Sequence, residues 1–173
     1  MVRAFSTLVF LAGVVLGSCA EEHACTEVGC SDQASFTLRP AGSHWDDGAY
    51  ALEVTFDDAR YSCAFAVPDA LPTAGSWQPL DCTPALEVYL TPEVECEEHK
   101  NGDTVSQVCT PIPGQYYLQG SIQGTPATLE VALQRDSATL LDETRTLAYQ
   151  ATQPNGPECE PTCRQASSDF TLP

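Results

Sequence analysis

The chain has 173 residues, with 24 Asp and Glu against seven Lys and Arg, a formal charge of −17 near neutrality. A surface this acidic is repelled by nucleic acid and by anionic lipid headgroups, which excludes both as charge-driven partners. The acids are dispersed, with no run longer than two, and read as a solvated, adhesion-resistant surface rather than as a cation site.

The N-terminus has the layout of an export signal. Met1-Val2-Arg3 is a short basic start, and an apolar run from about Leu8 closes on Leu16-Gly17-Ser18-Cys19. That run is far short of the roughly 20 residues needed to cross a bilayer. Because the small residues end on a cysteine, the segment resembles the lipobox of bacterial lipoproteins. Leu16 and Ser18 suit the pattern, and Gly17 is allowed but less usual than Ala or Ser. The resemblance implies that residues 1–18 are removed and that Cys19 carries a diacylglyceryl thioether and a further acyl chain such as palmitate. A single acyl chain holds a protein only marginally, and two or more hold it stably. The implied partner is therefore the membrane, through Cys19. Ala20 follows the cysteine where an Asp would retain a Gram-negative lipoprotein in the inner membrane, which implies the outer membrane of the cell envelope. The alternative is an ordinary signal peptide cut a few residues later. The resemblance covers about the first 20 residues and carries no fold information.

Without residues 1–18 the chain retains 155 residues, enough for one domain with a real core, and loses one cation, Arg3. Setting Cys19 aside leaves Cys25, Cys30, Cys63, Cys82, Cys96, Cys109, Cys159 and Cys163. An even remainder in an exported chain reads as four disulfides, for which 105 connectivities exist.

Residues 19–30 are polar, acidic and poor in apolar side chains, which suits a tether. Residues 31–173 show period-2 alternation broken by turn residues at short intervals, the pattern of antiparallel β-structure. Tyr50, Leu52, Val54 and Phe56 alternate with polar or small residues, as do Tyr61, Cys63, Phe65 and Val67. A turn centred at Asp58-Ala59 would pair Tyr50 with Val67 and Phe56 with Tyr61, all on one face. A turn centred at Gly124-Thr125 would pair Tyr116 with Leu133 and Leu118 with Val131, and leave Gly120 opposite Leu129. Between Cys96 and Cys109, a two-residue Asn101-Gly102 turn sets the cysteines diagonal and too far apart to bridge, at about 7–8 Å. A four-residue loop from Asn101 to Thr104 sets them opposite, and predicts a Cys96–Cys109 staple.

Leu-Glu-Val recurs at 52–54, 86–88 and 129–131 in different contexts, which reads as three half-buried strands rather than a repeat. Residues 127–153 lack Gly and Pro. Alternating Leu129, Val131 and Leu133 favour a strand, and a short helix near 137–143 stays open. Residues 166–172 read as a last strand or an extended tail. Cys30-Ser-Asp-Gln-Ala-Ser-Phe-Thr-Leu38 and Cys163-Arg-Gln-Ala-Ser-Ser-Asp-Phe-Thr-Leu172 look alike, and each leads into a strand from a pinned corner. On this reading Cys25, Cys30, Cys159 and Cys163 tie the termini together, and Cys63–Cys82 is the remaining pair.

Chemistry is harder to find. His44-Trp45-Asp46-Asp47-Gly48 sets an imidazole beside carboxylates, but it lacks the calcium-loop pattern and reads as a turn with Trp45 over the core edge. Cys159-x3-Cys163 is one residue too long for a thioredoxin-type motif. With His23, His44 or His99 its thiolates could select cuprous copper, which makes a periplasmic metal-handling lipoprotein the first alternative. Nucleophile-elbow, zincin, P-loop and dinucleotide signatures are absent, and three histidines stand near no serine nucleophile signature. A hydrolase using paired carboxylates is the second alternative. The expectation is a non-enzymatic, disulfide-stapled antiparallel β-sandwich, without cofactor or metal, in a binding or structural role at the cell surface. The body loosely resembles the immunoglobulin-like modules of bacterial surface lipoproteins, as fold-level analogy. It departs from true immunoglobulin domains because Trp45 and Trp77 do not lie between paired cysteines in the required way.

Overall fold

A computed structural model describes residues 28–67, 69, 76–101 and 104–173. The expected signal segment, residues 1–18, and Cys19 and Cys25 lie outside the described residues. The chain forms two facing β-sheets. In chain order the strands are β1 (Gln33–Arg39), β2 (Gly48–Phe56), β3 (Ala59–Val67), β4 (Gln78–Pro79), β5 (Cys82–Thr83) and β6 (Glu87–Asn101). They continue with β7 (Thr104–Gln123), β8 (Thr128–Arg135), β9 (Ala138–Thr146), β10 (Gln150–Thr152) and β11 (Cys163–Thr171). One sheet has the order β10-β11-β1-β7-β6-β4 and the other β5-β3-β2-β8-β9. This is a disulfide-stapled β-sandwich.

Its core follows from the alternation. Ala34, Phe36, Leu38, Val88, Leu90, Leu118 and Phe170 point inward from the first sheet. Leu52, Val54, Phe56, Leu129, Val131 and Leu133 meet them from the second. Phe36 and Phe56 bring their rings to 6.4 Å across the interface. Removing each such side chain from water contributes about 1.5–3 kcal/mol. The three Leu-Glu-Val segments lie in or at the start of β2, β6 and β8, with Leu52, Val54, Val88, Leu129 and Val131 buried.

The β2–β3 hairpin departs from its expected register by two residues. Phe56 pairs with Ala59 and Tyr50 with Phe65, so the turn is Asp57-Asp58. A two-residue shift is a full pleat period and keeps every apolar side chain inward, so alternation alone cannot detect it. Asp57 selects the turn. It adopts a left-handed φ of 50°, which Asp tolerates, and its carboxylate accepts hydrogen bonds from the Ala127 and Thr128 amides at 2.9 and 2.8 Å.

The expected pairing of residues 116–122 with 127–133 does not occur. β7 pairs with β1 and β6 in one sheet, and β8 with β2 and β9 in the other, so residues 124–127 cross between sheets. Both arrangements bury the same alternate positions, and partner choice is settled by fit. Gly120 lies opposite Phe36, whose ring fills the space a side chain at 120 would take.

Residues 138–146 form strand β9, not a helix. Asp136 and Ser137, both at positive φ, make the tight turn that returns the chain from β8. Within these mainly antiparallel sheets one pair of strands, β1 and β11, runs parallel. The two similar segments lie side by side in register, with Gln33 opposite Gln165, Ala34 opposite Ala166 and Ser35 opposite Ser167.

Candidate functional site

Three places carry side chains that could matter for function: the corner where the chain enters and leaves, the long β6–β7 ribbon, and the outer face of the six-stranded sheet.

The entry corner is heavily tied. Cys30 is bonded to Cys163 across 133 residues of sequence, which clamps the starts of β1 and β11 together. Asn155 holds Val28 from both sides, accepting from its amide at 2.9 Å and donating to its carbonyl at 3.0 Å. Asp32 accepts from the Arg164 amide at 2.7 Å. Cys159 is also in a disulfide. With Cys159 and Cys163 both oxidised, the thiolate pair that copper handling would need is not present in this state. Among the described residues no three His, Cys, Asp or Glu side chains are grouped to hold a metal ion.

The ribbon leaves the far end of the sandwich. β1 ends at Arg39, level with the region of β7 just before Leu118, while β6 and β7 continue paired from Val94–Pro111 to Asn101–Thr104. Over the eight residues from Val94 to Asn101 this is a projection of about 24 Å. Cys96 and Cys109 are bonded directly opposite each other, with Cα atoms 4.0 Å apart. Pairing runs one step further than the expected four-residue loop, to Asn101–Thr104, in the same register. Both faces of the ribbon are exposed, including Val94, Val105 and Val108. The other staple, Cys63–Cys82, joins β3 to β5 inside the second sheet.

The His44–Gly48 cluster resolves into architecture. Trp45 is buried against Tyr50 and Phe65 and donates its indole N–H to the Tyr116 carbonyl at 3.0 Å. His44 Nδ1 lies 2.8 Å from the Gly114 carbonyl. Tyr50 donates to the Asp46 carbonyl at 2.8 Å, and the Asp46 carboxylate pairs with Arg135. Burial, aided by Asp46 and Asp136 and opposed by Arg135, raises the Tyr50 pKa above its ordinary 10.0. The hydrogen bond that Arg135 donates to the Asp46 carboxylate raises the pKa of Arg135. His99 stands apart on the ribbon beside Glu97, and His23 lies outside the described residues.

Sequence reasoning passed over the outer face of the six-stranded sheet. Register places Gln150, Gln165, Gln33 and Gln123 in one row across β10, β11, β1 and β7. Ser167, Ser35 and Ser121 make the row of serines above it. Gln33, Ser35, Gln150, Thr152, Gln165 and Ser167, with two alanines, line an open concavity of about 450 Å³. None of its lining side chains is ionisable. On the far strands of the same face Trp77 is 61% exposed and stands edge-on to Tyr89 at 4.8 Å, and Arg39 stacks on Tyr117. The available signal was the repeated Gln-Ala-Ser at 33–35 and 165–167, which becomes a row only when β1 and β11 pair in parallel. No family model, curated protein or solved structure matches this chain.

Proposed function

We propose that this chain is a lipid-anchored protein of the bacterial cell envelope, placed at the outer membrane, whose β-sandwich is a non-catalytic binding or structural module. The observation that carries the reading is Leu16-Gly17-Ser18-Cys19 behind a basic start and an apolar run. Cysteine use supports it. Structural disulfides accumulate in oxidising compartments, and Cys30–Cys163, Cys63–Cys82 and Cys96–Cys109 are of that kind. If Cys19 is acylated, Cys25 is the cysteine left to partner Cys159. The corner at residues 28–33 suits a tethered domain, because a pull on residue 28 meets Asn155, Asp32 and the Cys30–Cys163 bond before it reaches the core. On this reading the ribbon points away from the anchored end and the polar sheet face stands between the two. The concavity on that face has no carboxylate in its lining, which favours binding over acid–base hydrolysis there.

The test is the intact mass of the membrane-extracted protein, with thiols alkylated before and after reduction. The expected result is the mass of residues 19–173 plus acyl chains, no thiol until reduction, and a Cys25–Cys159 peptide in the non-reduced digest. An unacylated Cys19, or a free thiol at Cys159 in the native protein, overturns the reading.

A further inference from the structure

We propose that the amide-lined concavity on the outer face of the six-stranded sheet is a binding groove for a neutral glycan chain lying across the strands. This deepens the binding reading above and rests on it, by naming the ligand class and the surface.

The first observation is charge. The chain carries −17, yet the residues lining this concavity are Gln, Ser, Thr and Ala, with Glu87 and Asp169 on the same sheet face beyond them. A cation would find no carboxylate in the lining. An anion would find no Lys or Arg there and would meet the repulsive field of the whole chain. What the groove offers is hydrogen bonding without charge, which selects an uncharged ligand rich in donors and acceptors.

Geometry is the second. Four carboxamides stand in one row on four adjacent strands, with hydroxyls on the next row, so donors and acceptors repeat at the strand spacing of about 4.8 Å. Each carboxamide presents an acceptor oxygen and two N–H donors side by side, a match for neighbouring sugar hydroxyls that both donate and accept. Among the described residues, none of the four amides is committed to a protein partner. Ser35 spends its hydroxyl on the Ala166 carbonyl at 3.3 Å and Thr152 on the Cys163 carbonyl at 3.4 Å, which leaves the glutamines as the groove's reaching groups.

The aromatic side chains are the third. Six strands at about 4.8 Å make a face about 24 Å wide, with amides at the β10–β1 side and Trp77, Tyr89 and Tyr117 at the β7–β4 side. Tyr89 is opposite Gln119, which is opposite Thr37, so the aromatic and amide regions share one outward face. Flat rings with one open face pack against the C–H face of a pyranose, while amides take its hydroxyls. A peptide is a poorer fit. It would recognise a sheet through the backbone of an open edge, and in the groove floor β1 is paired on both sides, by β11 and β7, and β11 is covered by β10 over Cys163–Gln165.

The experiment uses the full chain extracted in detergent and labelled with ¹⁵N. Neutral gluco-, xylo- and manno-oligosaccharides are titrated, with oligogalacturonate and an uncharged extended peptide as comparators. At least one neutral series is expected to shift the side-chain amide signals of Gln33 and Gln165, and to be recovered intact. The double variant Gln33→Ala, Gln165→Ala should weaken that binding about tenfold or more and leave the melting temperature unmoved, since both side chains lack protein partners. Gln165→Glu, which keeps the shape and removes the donors, should weaken it too, while Ser106→Ala on the ribbon should not. The inference is overturned if no neutral oligosaccharide shifts these amides, if only the peptide or the anionic sugar does, or if the double variant binds normally. Hydrolysis of the bound glycan would overturn the non-catalytic reading and keep the groove. An unacylated Cys19 with binding retained would overturn the anchoring and likewise keep the groove.

Discussion

Replacing Gly120 by Ala tests whether one ring determines how the two sheets are packed. Gly120 lies in β7 between Phe36 of β1 and Val88 of β6, facing the core. A Cβ built there would sit 2.4 Å from Phe36 Cε1 and Cζ and 3.3 Å from the Glu87 carbonyl oxygen. Unstrained carbon contacts lie near 3.5–4.0 Å, so the ring must retreat by roughly 1 Å. It has nowhere to go. Phe36 is 1% exposed and backed by Phe56 at 6.4 Å. Overpacking of this kind destabilises by about 1–3 kcal/mol, and the intrinsic gain of Ala over Gly in a strand returns about 0.5–1 kcal/mol of it. The net expectation is about 1 kcal/mol, or a fall of about 2–4 °C in melting temperature for a domain of this size. Urea and thermal unfolding with the disulfides intact measure it. Phe36→Leu removes the clashing atoms, so the double variant should recover at least about 1 kcal/mol relative to the sum of the single changes. A Gly120→Ala protein within about 0.5 kcal/mol of the parent, or strictly additive single changes, would refute this account of Gly120.

Removing the clamp by Cys30→Ser with Cys163→Ser should lower stability by about 3 kcal/mol in the chain-entropy treatment, because the proposed Cys25–Cys159 bond still closes the long loop and only a ring of about 11 residues is opened, read as the shift in urea midpoint. The pair Cys96→Ser, Cys109→Ser should instead free the ribbon while the sandwich stays folded. Hydrogen exchange should rise over 94–110 and stay protected at Leu52, Leu129 and Leu133; exchange lost throughout would contradict a ribbon independent of the core. Asp57→Ala should destabilise by about 2 kcal/mol through loss of charge-assisted bonds to the Ala127 and Thr128 amides, and Asp57→Asn by less, because Asn tolerates the left-handed turn. Tyr50 holds its proton more tightly folded than unfolded, so its contribution is intact below about pH 10 and fades as pH rises beyond that. Tyr50→Phe should flatten the alkaline loss of stability, leaving the part due to Tyr149, whose pKa burial also raises; an unchanged slope would contradict it.

Much of this fold can be read directly from the side-chain pattern. Alternation at Leu52, Val54, Leu129, Val131 and Leu133 specifies strands with one buried face, because a period of two cannot be satisfied by a helix. The Cys96–Cys109 pair follows from strand register alone, since hairpin geometry lets only opposite cysteines bond. Registers off by a full pleat, as at the Asp57-Asp58 turn, stay hidden because both choices bury the same residues. The partner of β7 stays hidden for the same reason, until Phe36 and Gly120 are seen to interlock.

Sequence by itself determined the class of the fold, a local property of period, and its basic start and apolar run are what the proposal of an export signal rests on. Tertiary structure alone decided that β1 and β11 lie parallel, bringing residues 33–35 against 165–167 and lining up four glutamines that are scattered along the chain. Pairing between distant strands depends on which side chains fit across an interface, and a one-dimensional pattern of buried and exposed positions does not encode that fit.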